Sequence, residues 1–233
     1  MLFPMTATTI VSYDDTLNDH DALALARVFG DVGARLILAY VRHTAQHQRS
    51  HEELEEHEAQ ALLERGARWL GDLDVERRVV MHASTGEGLR QLAEQEGASM
   101  IVFGSDYRTP AGHVSPQNST QSLLEGGAAA VAIAPANYRA ARTHEIRRIG
   151  LLAGLDDHAA IDTAHALASH FEAAVTDTTT GVDLLIVGSR PEAPHGKVLI
   201  SARSQNAVEE STAPVLVVPR EVPVDFAAPL YVS

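Results

Sequence analysis

The chain has no cysteine among its 233 residues. That excludes a disulfide framework, thiolate catalysis and a cysteine-built zinc site. Basic residues are scarce: 18 Lys and Arg against 31 Asp and Glu leave a formal net charge of −13. A surface of that sign argues against binding to nucleic-acid phosphates or to anionic membrane surfaces. It leaves room for a small anionic ligand, whose site is local. No apolar run is long enough to span a bilayer. The opening Met1-Leu-Phe-Pro-Met5 is too short for a signal segment and carries no basic residue, so a cytoplasmic location is expected. The G-x-S-x-G nucleophile signature is missing, and Gly196-Lys197 lacks the spacing of a P-loop. Nothing points to a catalytic nucleophile. What is present is ordinary for a soluble fold: 45% hydrophobic residues, ample for a core, in a length that suits one large domain or two small ones.

One stretch organises the rest. Ile101-Val-Phe-Gly104 is an apolar run that stops at a glycine, and a polar loop with Pro110, Gly112 and Pro116 follows. Asn118, Ser119 and Thr120 then lead into Gln121-Ser-Leu-Leu124, which reads as a helix start. A strand, a tight turn and a hydroxyl-rich helix entry together form an anion-binding arrangement, because free N–H groups collect there. The pattern returns 84 positions later without a gap: Gly104 meets Gly188, Ser105 meets Ser189, Pro110 meets Pro194, Gly112 meets Gly196, Val131 meets Val215 and Pro135 meets Pro219. The chain therefore holds two copies of one unit. The copies differ in length. Asp21 precedes Gly104 by 83 positions, whereas the matching helix near Asp162 precedes Gly188 by only 26, so the second copy has lost the middle of the unit.

Strand and helix signals alternate. Thr8 to Tyr13, Arg35 to Val41, Val75 to His82, Ala98 to Phe103 and Ala128 to Ala134 read as strands. A helix capped by Thr16 or Asn18, with Asp19 and Asp21 near its positive end, its apolar face at Ala22 to Phe29 and its close at Gly30 and Gly33, is followed by a long acidic segment within His43 to Leu70, Gly86 to Glu96 and a segment from Thr120, which also read as helices. The second half repeats this in brief, with strands at 149–153, 173–176, 183–187 and 214–218 and helices at 158–171 and 205–210. Alternation of this kind predicts an α/β fold with doubly wound parallel sheets in two tandem units, the second lacking its middle strand–helix segment. The expected divisions are 1–140, 145–220 and a tail at 221–233, whose Val222, Phe226, Leu230 and Tyr231 can dock on the body. In open parallel sheets ligands bind at the carboxyl ends of the strands. Asp14, Val41 and Gly104 each fall at such an end and so converge on one cleft.

These residues resemble the universal stress protein (UspA-like) family. The first copy resembles it over most of residues 6–140, through Ile10-Val-Ser12-Tyr-Asp14, Leu38-Ala-Tyr-Val41, Ala98 to Ser105 and Val131 to Pro135. The second resembles a shortened member over roughly 146–220, closing on Pro214 to Pro219. The resemblance implies a five-stranded parallel sheet flanked by helices, and association through the last strands. In a tandem chain those last strands would meet within one molecule, an internal pseudo-dimer, with a homodimer as a further form. The family's ATP-binding pattern is Gly, two residues, Gly, nine residues, Gly, then Ser or Thr. Here its positions fall on Gly104, Tyr107, Gln117 and Asn118. Two glycines that would let the backbone approach phosphate are absent. Asn118, Ser119 and Thr120 still offer donors at the helix start, the loop keeps Gly112, and Asp14 and Val41 match adenosine-contacting positions. Two functions follow from the resemblance: a non-enzymatic stress-response protein acting through self- or partner association, or a regulator holding ATP or another adenine nucleotide with Mg at Ser12, Asp14, Val41, Gly104, Gly112 and Asn118 to Thr120. Slow ATP hydrolysis is the one reaction it would allow.

Other chemistries are weaker. Asp14 and Asp15 are adjacent, so they point apart, unlike the alternate acids of phosphatases that use Asp-x-Asp. His43, His47 and His51 have helical spacing but begin at a strand end, and a solvated surface is the favoured reading. His113 and His195 are loop residues first, with phosphate contact a minor role for His113.

Overall fold

The computed structural model describes residues 7–43, 52–71 and 73–226. The first unit comprises β1 (Thr8–Ser12), α1 (Leu17–Asp31), β2 (Arg35–Arg42), α2 (Glu52–Leu70), β3 (Val75–Met81), α3 (Thr85–Glu96), β4 (Met100–Gly104), α4 (Asn118–Leu124) and β5 (Ala130–Ala134). A single 3-10 turn at Tyr138–Ala140 opens the linker. The second unit comprises β6 (Arg148–Leu152), α5 (His158–Phe171), β7 (Ala174–Thr176), β8 (Leu184–Gly188), α6 (Ala202–Glu210) and β9 (Val215–Val218).

The nine strands among the described residues join one sheet in the order β3-β2-β1-β4-β5-β9-β8-β6-β7. Every neighbouring pair is parallel except β5 with β9, which run antiparallel at the centre. The central strands are apolar throughout, as strands covered on both faces must be. Their register is symmetric. Ala132 faces Leu216, its own counterpart 84 positions on, while Val131 faces Val217 and Ile133 faces Val215. This is the geometry of a two-fold contact between like subunits, built into one chain. Two buried clusters, one on each face of the sheet, both draw side chains from both units.

Several local readings change. α1 begins at Leu17, as a Thr16 cap requires, but does not stop at Gly30 and continues to Asp31. Gly30 is there for close packing, since a Cβ would come within 2.9 Å of Leu73 and 3.1 Å of Leu36. Of the two expected caps it is Thr16 that serves, its hydroxyl accepting from the Asp19 N–H while Asp19 reaches back to the Thr16 N–H. α4 begins at Asn118 rather than Thr120, and α6 at Ala202 rather than Gln205, where Ser201 accepts from the Ser204 N–H at 3.1 Å. The long acidic helix is described from Glu52 onward; His47 and His51 lie outside the described residues.

The chain after β9 folds back onto the body. Val224 is buried, its N–H donating to the Thr163 hydroxyl at 3.0 Å, and Phe226 stacks on Phe29 of α1 at 6.0 Å between ring centres. Val222 is partly exposed, and Leu230 and Tyr231 lie outside the described residues.

Candidate functional site

Because β1 lies between β2 and β4, the carboxyl ends carrying Ser12, Asp14, Val41 and Gly104 are neighbours at one edge of the sheet. Ser12 ends β1 and is half-buried; Asp14 follows it with an exposed side chain. The Asp14 N–H donates to the Asp19 carboxylate at 2.9 Å. Desolvation, then the nearby Asp19 charge, raises the Asp14 pKa, and His43 opposes the rise. Asp19 is itself buried, which raises its pKa, although the Thr16 hydroxyl (2.7 Å), the Thr16 N–H (3.0 Å) and the Asp14 N–H all donate to it. Val41 is part of the core, with its methyls where a Cβ on Gly88 of α3 would meet them.

Gly104 owes its identity to helix packing. A Cβ there would run into the main-chain carbonyl oxygen of Asn18, in the first turn of α1. The Asn18 side-chain amide then donates to the Ser105 carbonyl at 2.7 Å. Gln117, at the family's last glycine position, turns back the same way: its amide donates to the carbonyls of Gly104 and Ser105, both at 3.2 Å. It therefore gives no side-chain cap to α4. The edge where phosphate was expected presents carbonyl oxygens covered by two amide side chains. Tyr107, at the other missing glycine, points out to solvent and carries the Arg108 guanidinium 4.9 Å from its ring centre.

The remaining candidates divide. Asn118 is exposed and Ser119 half-buried, its carbonyl accepting from the Ser122 hydroxyl at 2.8 Å. Thr120 is fully buried, and its hydroxyl has no partner among the described residues. Gly112 adopts φ +81°, the left-handed region that favours glycine, and its N–H donates to the Ala136 carbonyl at 2.7 Å. It shapes the loop against the end of β5.

The second unit repeats the bonds that anchor this loop. The Ser105 hydroxyl donates to the Ala134 carbonyl at 2.7 Å and accepts from the Ser115 N–H; the Ser189 hydroxyl donates to the Val218 carbonyl at 2.7 Å and accepts from the Leu199 N–H. Gly196, at φ +69°, donates to the Arg220 carbonyl as Gly112 does to Ala136. A Cβ on Gly188 would also be blocked, here by the Asp157 carboxylate that caps α5. One Asp157 oxygen accepts from the Ala160 N–H at 3.3 Å; the other is buried without a partner among the described residues. Burial pushes the Asp157 pKa up, against a smaller opposing pull from Arg220.

Sequence reasoning missed the fully buried Asp21. It accepts from the N–H groups of Asn137 (2.8 Å) and Arg139 (2.9 Å) and pairs with the Arg139 guanidinium at 2.9 Å, tying α1 to the linker. An acid on an Ala-rich helix face was the available signal; its partners lie more than a hundred positions away. Asp15 turns from the cleft onto α2, where Arg65 donates to it at 2.7 and 2.9 Å and the Tyr13 hydroxyl at 2.6 Å.

A model of the universal stress protein family matches residues 5–135. A universal stress protein from Archaeoglobus fulgidus DSM 4304 has a similar structure, with a TM-score of 0.69 at 13% identity, covering 91% of this chain and 98% of that one. A protein assigned to the same family from Pseudomonas aeruginosa UCBPP-PA14 gives 0.62 at 15% identity, covering 93% and 94%. Identities this low speak for the fold. Among curated proteins none matches the chain in sequence.

Proposed function

The chain belongs to the universal stress protein family, and from that premise we propose that it works without catalysis, by association with itself or with partner proteins. One observation carries this reading. At the carboxyl end of β4 the amides of Gln117 and Asn18 already serve the Gly104 and Ser105 carbonyls. A polyphosphate brings only acceptor oxygens and needs N–H donors. Entering here, it would displace Gln117 and then face carbonyl oxygens and the carboxylates of Asp14 and Asp19. The pairing of β5 with β9 inside the chain supports an internal pseudo-dimer, so a homodimer would use another surface.

A second reading, one adenine nucleotide with Mg in the first unit, draws on the exposed Asp14 carboxylate at the edge where open parallel sheets hold ligands. A thermal-shift titration with ATP, ADP and AMP plus magnesium separates the two. The first reading expects no shift at millimolar nucleotide. A ligand at 100 times its dissociation constant would stabilise the native state by about 2.7 kcal/mol, and such a shift would replace the first reading with the second.

A further inference from the structure

The two equivalent loops are not completed by their own units. The Val114 N–H, in the loop after β4, donates to the Ser211 carbonyl of the second unit at 3.2 Å. The Val198 N–H, in the loop after β8, donates to the Gly127 carbonyl of the first unit at 2.8 Å. Donors and acceptors are both repeat partners: Val198 is Val114 plus 84 positions, and Ser211 is Gly127 plus 84. Leu199 adds an antiparallel bridge to Glu125 at the end of α4. Both valines are buried in the same apolar cluster as Val131, Ile133, Val215 and Val217 of the central strands. Each loop is also rooted in its own unit, by Ser105 on Ala134 and by Ser189 on Val218, at the carboxyl ends of the strands that pair in the middle.

We infer that these crossed loops form a reciprocal latch, so that opening the loop beside the first unit's edge opens the loop of the second. The reason is steric and polar together. Lifting the first loop withdraws Val114 from the shared cluster and strips the Ser211 carbonyl of its donor. Val198 enters that same cluster from the other end of the antiparallel central pair, so the loosened packing reaches it through Val131, Ile133, Val215 and Val217, and the 84-position symmetry gives the reverse movement the same consequence. Coupling of this kind is reciprocal by thermodynamic necessity. An occupant of the first unit's edge that displaced Gln117, two residues after Ser115, would pull on the same loop and be felt at Ser211. The latch stands on the crossed loop bonds and the shared cluster, and holds whether or not a nucleotide binds.

Native-state hydrogen exchange on the intact protein tests it, because amides report local opening separately from global unfolding. In the wild-type protein the Val114 and Val198 amides are expected to share one dependence on denaturant, distinct from that of Ile10 in β1. Different dependences for the two valines would overturn the latch. Val198→Ala is then expected to speed exchange at Val114, in the other unit, by roughly tenfold and more than at Ile10, since truncating a buried aliphatic loosens what packs on it. Acceleration confined to the second loop, or equal changes at Val114 and Ile10, would overturn it as well.

Discussion

The two units place the same glycine under the entry of the same helix and cover it with different chemistry. Over Gly104 stands the main-chain carbonyl of Asn18, whose amide goes on to the Ser105 carbonyl. Over Gly188 stands the Asp157 carboxylate, with one oxygen left unpaired among the described residues. The glycine is needed in both because a helix start approaches the end of a strand too closely for any side chain. The cover differs because one helix brings its backbone to the contact and the other brings its cap. A glycine at a strand end in this fold thus records helix docking, and a ligand must be argued from what else is there.

The same comparison extends to how each unit fastens the chain that follows its last strand. The first uses a buried carboxylate, Asp21, on Asn137 and Arg139; the second uses a hydroxyl, Thr163, on Val224. Removing a buried charged partner strands the other charge, so Asp21→Ala should cost about 3–5 kcal/mol. Thr163→Ala should cost less, about 1–3 kcal/mol, by orphaning one N–H. Urea denaturation of both variants checks the ranking, and equal losses would break it.

The glycine pair gives a second contrast. Gly104→Ala meets backbone and should lose about 1–3 kcal/mol to overpacking. Gly188→Ala meets the end of a side chain that can swing aside, and its midpoint should fall less. A larger loss at Gly188 would mean that Asp157 is held as rigidly as main chain.

The unpaired oxygen sets the third. A carboxyl whose folded pKa is raised stabilises the fold below its unfolded pKa, and that stability is lost as pH rises through the folded pKa. Asp157 is such a group. Asp157→Asn, neutral at every pH, should therefore be more stable than the native chain near neutrality, by about 1 kcal/mol, the scale of one unsatisfied buried group. The gap should close on acidification toward the ordinary aspartate range. A gap independent of pH would show that the charge is not the cause.

The smallest effect belongs to Thr109, whose hydroxyl is buried without a partner among the described residues, while its counterpart 84 positions on is the buried Ala193. Thr109→Ala should leave stability within about 0.5 kcal/mol or raise it slightly. A marked loss would reveal a bond made by that hydroxyl.

Much of the fold was legible. The helix read over 158–171 has those bounds, and the apolar runs at Arg35 and Met100 lie within or beside β2 and β4. Such elements announce themselves because burial on one face or two imposes a pattern within a few residues. The start of α1 was legible too, since Thr16 is one of the two caps the sequence offers and Asp19 lies in the first turn, although the reciprocal capping box they form is seen only in the fold. The candidate edge was legible as a place but not in its contents. Asn118 to Thr120 were read together as donors, yet Thr120 is sealed in the core while Asn118 faces solvent. Val41 reads equally as a core residue and as a family contact position, and its side chain packs against α3. No local pattern says which way one turn of a short helix is rolled.

The amino-acid order alone settled the duplication, the loss of the middle segment from the second copy and the strand–helix alternation, because each is a property of residues close in the chain or of a fixed offset between like residues. Only the folded molecule decided that Gln117 would lie on the Gly104 and Ser105 carbonyls, that Asp21 would reach the linker, and that each loop would be finished by the opposite unit. A missing Cβ makes room and a polar side chain offers bonds. What takes the room, and what receives the bonds, depends on which distant segment the packing of the sheet brings within hydrogen-bonding reach.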